Sequence, residues 1–235
     1  MINSVDKPKA VIPRDAATLI LIDFKEKVPK ILMGKRHTNH SFMPDKFVFP
    51  GGRVDPSDRK MNIASPLDQI VEDKLLLRVK SPSPMKARAL ALAAIRETFE
   101  ETGVMIGEKG LGSPPAIPNT PWEGFTKQEI WPSLDQLHFV ARAITPARHQ
   151  KRFDTRFFLA DASHIATIQD GIVGPDAELT EIAWVSLGNA KALDLPSITA
   201  SIIDEVAVRL NGGLERFQPV PFFHEFRRSY IREYL

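Results

Sequence analysis

Glu97, Glu100 and Glu101 stand at i, i+3 and i+4 in Arg96-Glu97-Thr98-Phe99-Glu100-Glu101-Thr102-Gly103-Val104, so a helix there carries all three carboxylates on one face. Like charges at this spacing cost an isolated helix about 0.2–0.5 kcal/mol per pair. Acids in a last turn also oppose the helix dipole, by ~0.3–1 kcal/mol. A hard divalent cation offsets both costs, because Mg2+ and Mn2+ take carboxylate, carbonyl and water oxygens as ligands. The cluster therefore reads as a metal site, against the plainer reading of a solvated acidic face.

The helix that must hold these acids is marked at both ends. Ser83 is placed as its N-cap, Pro84 at its first position and Gly103 just past its last turn. At about 100° per residue, Arg88, Leu92, Ile95 and Phe99 form a stripe opposite the glutamates. One face is thus expected to pack on a sheet and the other to meet a cleft, with Ala93 and Ala94 leaving room beside the acids.

Upstream lies Phe49-Pro50-Gly51-Gly52-Arg53-Val54-Asp55-Pro56-Ser57-Asp58, preceded by the strand-like Lys46-Phe47-Val48. Together the two stretches resemble the signature of the Nudix hydrolases, G-x5-E-x7-R-E-U-x-E-E-x-G-U with U apolar. Gly52 matches the first glycine, and Arg96, Glu97, Glu100, Glu101, Gly103 and Val104 match the second half in register. Thr98 departs from the pattern, standing where a bulky aliphatic is usual. Asp58 stands where the first glutamate is expected, and 37 residues separate it from Arg96 instead of seven. Segment 59–82 is accordingly read as an insertion between the glycine loop and the catalytic helix.

A longer likeness runs through Ser41-Phe42-Met43-Pro44 to FPGG, then AIRETFEETGV, then Arg152-Phe153-Asp154-Thr155-Arg156-Phe157-Phe158-Leu159-Ala160. It resembles the long-insert Nudix proteins related to the peroxisomal coenzyme A diphosphatases, over roughly 16–185. The resemblance implies a Nudix-type αβα sandwich with a mixed sheet, of the α/β (α+β) class. It also implies metal-dependent cleavage of a nucleoside diphosphate derivative, with coenzyme A or acyl-coenzyme A giving adenosine 3',5'-bisphosphate and 4'-phosphopantetheine. Other derivatives (a dinucleotide, ADP-ribose or a nucleotide sugar) and a non-catalytic nucleotide-binding module are the alternatives.

By the same resemblance Glu97, Glu100 and Glu101 hold Mg2+ or Mn2+ together with a backbone carbonyl of Gly51, and Arg96 orients the carboxylates. The general base is Glu97, Glu178 or Glu181. Arg36, from a loose match at Ile31-Leu32-Met33-Gly34-Lys35-Arg36, and Arg152 and Arg156, from the basic run 142–156, are the expected substrate contacts, since guanidinium forks suit phosphates. Asp154 is expected to tie down the turn before its strand.

Composition sets limits on the alternatives. The chain has 235 residues, 43% apolar and 26% charged, which suits one substantial core and a single domain over 1–235. A net charge of +2 without a lysine-rich run gives no case for nucleic acid or a membrane surface. With no cysteine, disulfides, thiolate catalysis and Cys-zinc sites are excluded. The six histidines lack HExxH spacing, and His37 and His40 are given a polar loop role. The apolar run 16–22 is too short for a span and lacks a signal-peptide layout. Arg232-Glu233-Tyr234-Leu235 is not an SKL-type address, so a cytoplasmic location is expected.

Strands are predicted at 16–22, 30–35, 46–49, 137–144, 155–160 and 181–185, and a packing helix at 197–210 from Ile198, Ile202, Val206 and Leu210. Segments 59–82 and 111–121 are expected as loops or lids around the cleft. The tail 219–223 is expected to cover a hydrophobic edge or a partner in a homodimer.

Overall fold

The computed structural model of the protein describes residues 11–40 and 43–235. Ser41 and Phe42 of the family likeness lie outside the described residues. Leu19, Ile20, Leu21 and Ile22 of β1 (Arg14–Asp23) are all fully buried, which requires both faces of the sheet to be covered. Then follow β2 (Lys30–Arg36), β3 (Phe47–Val48), β4 (Gly51–Arg53), α1 (Gln69–Leu75), α2 (Pro84–Thr102), β5 (Val104–Ile106) and α3 (Trp122–Lys127). The second half holds β6 (His138–Ile144), β7 (Phe153–Asp161), β8 (Ile165–Ile168), β9 (Leu179–Ser186), α4 (Leu187–Ala190), α5 (Ser197–Asn211), β10 (Pro221–Phe226) and β11 (Ser229–Tyr234).

Among the described residues the main sheet is mixed, in the order β11-β10-β6-β7-β1-β2-β3, with β4 also on β1 and β9 also on β2. β1 runs parallel to β7 along its whole length. On its other side it is shared: β2 pairs at Ile22 and Asp23, β4 at Ala16 to Thr18. This fork sets the glycine turn beside the end of α2. Alternate residues of β1 enter two cores. Ala17, Leu19 and Leu21 pack with α1, α2 and α3, and Ile20 and Ile22 with α5. The result is the expected αβα sandwich.

The punctuation of α2 holds. The Ser83 hydroxyl accepts from the Lys86 amide at 3.2 Å, and Gly103 closes the helix at φ 76°. A side chain at Gly103 would also meet the Gln169 carbonyl oxygen at 2.1 Å. The two-faced helix does not hold. Leu90, Ala91, Ala93 and Ala94 are as buried as Leu92 and Ile95, because α1, α3 and the insertion cover what the sheet leaves open. Arg88 is no part of an apolar stripe: its guanidinium clamps the Met61 carbonyl of the insertion.

Neither segment 59–82 nor segment 111–121 is a lid over the cleft. Residues 59–82 contain α1, capped by Asp68, whose side chain accepts from the Ile70 amide at 2.9 Å. Met61, Leu67, Val71 and Leu75 enter the α2 core, so the segment belongs to the hydrophobic interior. Its helix escapes the sequence because seven residues give one i, i+4 apolar pair. Segment 111–121 is irregular and mostly exposed, and no residue of it lines the cleft. The tail does cover an edge. β10 adds to β6 in parallel and β11 closes the hairpin, an arrangement that the short apolar stretch does not announce.

Candidate active site

A cleft of about 1100 Å3 runs across the sheet face carrying Ala16, Thr18, Thr155 and Phe157. Glu97, Glu101 and Glu178 line it at one end, beside Gly51 and Gly52. The glycines are there for want of room. A Cβ on Gly52 would lie 2.5 Å from the Glu97 carboxylate, and one on Gly51 would lie 2.4 Å from the Thr18 hydroxyl oxygen. The Gly51 amide donates to Glu101 Oε2 at 3.2 Å.

Arg96 is the hub under these acids. Its Nε donates to Asp58 Oδ1 at 2.7 Å and its Nη2 to Asp58 Oδ2 at 3.1 Å. Nη2 also donates to the Arg53 carbonyl at 2.7 Å, and Nη1 to Glu97 Oε1 at 2.9 Å and to Glu100. Asp58, with no exposed surface, accepts in addition from the Asp55 amide at 2.8 Å and from the Trp122 indole at 3.2 Å. One fork thus ties the glycine loop, the turn at 56–59 and α2 together. Asp58 stands against Arg96 in spite of the 37 residues between them. A shorter acid serves here because the turn brings its backbone close enough to bond its own N-cap amide. Thr98, the other departure, is harmless: its buried hydroxyl donates to the Ala94 carbonyl at 2.8 Å.

The three glutamates do not converge as a triad. Among the described residues no group of three or more acids, histidines or cysteines is close enough to hold a metal ion. Glu100 turns outward to Arg96, its i−4 neighbour, and does not line the cleft. Glu97 and Glu101 remain at the cleft. Burial pushes Glu97 up to about 7, aided by the charges of Glu100 and Glu178 and opposed by Arg96. Burial first, then Glu178, raises Glu101 well above the usual carboxylate range. Two neighbouring carboxylates on the cleft wall that resist ionising together suit a divalent cation. Mg2+ is commonly held by one or two carboxylates with waters and substrate oxygens completing its shell.

The other expected contacts divide. Arg36 lines the cleft, its Nη1 3.3 Å from Glu178 Oε1 and 2.8 Å from His40 Nδ1. His40 Nε2 lies 3.0 Å from the same Glu178 oxygen. Glu181 sits exposed on β9 opposite Lys35, outside the cleft. Arg152 lines the cleft but spends its Nε on the Thr145 carbonyl at 2.9 Å and its Nη1 on that of Val11 at 2.7 Å. Arg156 is corrected outright: it lies on the opposite face of β7 with no exposed surface, paired with Asp15 at 2.8 Å and Asp154 at 3.1 Å. Strand alternation explains this, since Thr155 and Phe157 take the cleft face. Asp154 does more than tie a turn, gripping Arg142 through both oxygens at 2.8 and 2.7 Å. Residues that the sequence did not single out, Trp122 beneath the acids and Arg14, Arg228 and Tyr230 in the cleft, carry no local signal.

No family model matches the sequence. A Nudix hydrolase from Alicyclobacillus acidocaldarius superimposes over 84% of this chain and 92% of its own, with a TM-score of 0.61 and 26% identity. Nudix hydrolase 7 of Caenorhabditis elegans is 29% identical over 184 residues, 73% of this chain and 51% of that protein. In sequence and in fold the chain is thus similar to Nudix hydrolases. The acyl-coenzyme A diphosphatase NUDT19 of Xenopus laevis is 22% identical over 201 residues, 66% of this chain and 52% of that protein. The chain spans about half the length of the curated relatives it matches. Gly52, Glu97 and Glu101 of the box pattern line the cleft, Arg96 and Glu100 stand behind them, and the interrupted pattern is closed through space by Asp58 and Arg96.

Proposed function

We propose that this protein is a metal-dependent hydrolase of the phosphoanhydride in a nucleoside diphosphate derivative, with coenzyme A or an acyl derivative as substrate. The observation that carries the reading is the placement of half-buried Glu97 and buried Glu101, both raised, against the Gly51-Gly52 backbone at one end of a large cleft. Such groups favour a cation over two uncompensated charges.

Glu97 and Glu101 would hold Mg2+ or Mn2+, and when bound the ion neutralises the diphosphate and lowers the pKa of a water. The chain's own groups do the rest. Arg96 fixes Glu97 by one bond and the loop carbonyl by another, so the carboxylate cannot swing away. The Gly51 amide fixes Glu101. Glu178, 3.0 Å from His40 and 3.3 Å from Arg36, is a third acid at the same end and with Glu97 would be a candidate to accept a proton from an attacking water. Support for coenzyme A comes from the resemblance to the long-insert subgroup and from the acyl-coenzyme A diphosphatase relative.

The test is incubation with Mg2+ or Mn2+ and coenzyme A, acyl-coenzyme A, ADP-ribose, NADH or diadenosine polyphosphates, with products identified by mass. Adenosine 3',5'-bisphosphate from the coenzyme A substrates is the expected result. Cleavage of another member alone would retain the hydrolase and discard this substrate, and metal binding without turnover of any would point to a binding module.

A further inference from the structure

The acids occupy one end of the cleft, and cations line the other. Arg14, Arg148, Lys151 and Arg228 lie there, around the β6–β7 and β10–β11 turns. From β4 at the acid end to the β6–β7 turn is three strand spacings, about 14 Å, further than a diphosphate extends. Arg148 and Arg228, carried on the turns, therefore stand apart from a phosphoanhydride held at Glu97 and Glu101. Among the described residues no carboxylate pairs with Arg14, Arg148 or Arg228. Glu225, the acid at that end, is engaged by the Ala147 amide at 2.7 Å, a bond that joins the two turns.

The β10–β11 turn carries a second and independent sign. Phe226 pairs with Ser229, leaving Arg227 and Arg228 as a two-residue connection, with φ of 49° and 69°. Both central positions of such a turn demand positive φ, for which Asn-Gly is the preferred pair. Arginine there is strained, and strain of this kind concentrates where a side chain is needed. Arg227 lies over the Phe226 ring at 5.2 Å. Arg228 is the one that lines the cleft, with Tyr230 beside it.

We propose that the β10–β11 hairpin is a recognition element and that Arg228, with Arg148, determines specificity for a substrate bearing a second phosphate, a monoester set apart from the scissile diphosphate. The inference rests on the hydrolase reading for the word substrate, but the anion site is measured without turnover. Calorimetry of the full chain without metal compares adenosine 3',5'-bisphosphate with AMP, which differ by the one phosphate. The wild type is expected to prefer the bisphosphate by at least about five-fold, the upper range for one exposed charge pair, and to lose the preference in raised salt.

Arg228→Gly supplies the glycine that the turn favours, so its Tm should hold or rise while the preference collapses; Arg148→Ala should reduce the preference in the same direction. A residue serving only the fold would show the reverse, a lower Tm with the preference intact. Equal affinity for the two nucleotides in the wild type, or a preference that survives both substitutions, overturns the proposal. A preference without turnover of any diphosphate retains the anion site and removes the hydrolase, whereas turnover without a preference does the opposite.

Discussion

The two ends of the cleft hold opposite charge by opposite means. At the acid end Asp58, Arg96 and Glu101 are buried and Glu97 is half-buried, with Arg96 bonded to Asp58 and Glu97, so every charge there is felt strongly by the rest and the fold depends on the balance. At the basic end Arg14, Arg148 and Arg228 are exposed, and water screens them. A buried cluster can store unfavourable charge for a ligand to relieve. An exposed one can attract a ligand while costing the fold little.

The comparison is broken most sharply by removing charge from the acid end. Glu101→Gln and Glu97→Gln should each lower kcat by about a hundred- to ten-thousand-fold while leaving the metal-free fold intact or steadier, because repulsion is relieved. Glu100→Gln, whose parent carboxylate faces Arg96 and not the cleft, should lose clearly less. Steady-state rates with Mg2+ decide this, and equal losses in all three variants would restore the convergent triad of the sequence reading.

Next in size is the hub. Arg96→Met leaves Asp58 buried without its partner, and urea unfolding should show a loss of about 3–5 kcal/mol. A loss below about 1 kcal/mol would class the pair with ordinary surface bridges.

Acid-end strain is also visible in pH. The folded pKa of Glu97 is raised from 4.5 to about 7, so its penalty is absent below 4.5 and complete above about 7. Without metal, stability should therefore fall as pH rises through that window, on the order of 3 kcal/mol from this group, with Glu101 acting in the same direction. Mn2+ should bind more tightly with rising pH over the same range, because its ligands must lose protons. A stability profile that is level between pH 4.5 and 7 in metal-free protein contradicts the account.

The smallest effect belongs to the basic end. Arg148→Ala should change stability by no more than about 0.5 kcal/mol, measured by the same urea titration. A larger loss would show that the cations there serve the fold.

The end of the cleft that is costly to build is also the end that could be read in the chain. Glycine turn, Arg96 and the three acids are local patterns, and the helix ends at Ser83 and Gly103 follow from capping chemistry alone. The six predicted strands and the two long helices all appear, shifted by a residue or two at their ends. What escaped were short or edge elements, among them α1, with one apolar pair, α3, α4, β4, the two-stranded β5–β8 sheet, and the β10–β11 hairpin, whose turn lacks the Asn-Gly that would have marked it.

By itself, then, the sequence determined which residue types gather at the acid end and the layered fold that carries them, because carboxylate spacing, glycine and apolar periodicity act over a few residues. Tertiary structure alone decided which groups meet. It joined Asp58 to Arg96 across the insertion, turned Glu100 away, sent Arg156 to the buried face of β7 and brought Arg228 into the cleft. Those outcomes depend on strand register and on long-range packing, and neither leaves a trace in the spacing of neighbouring residues.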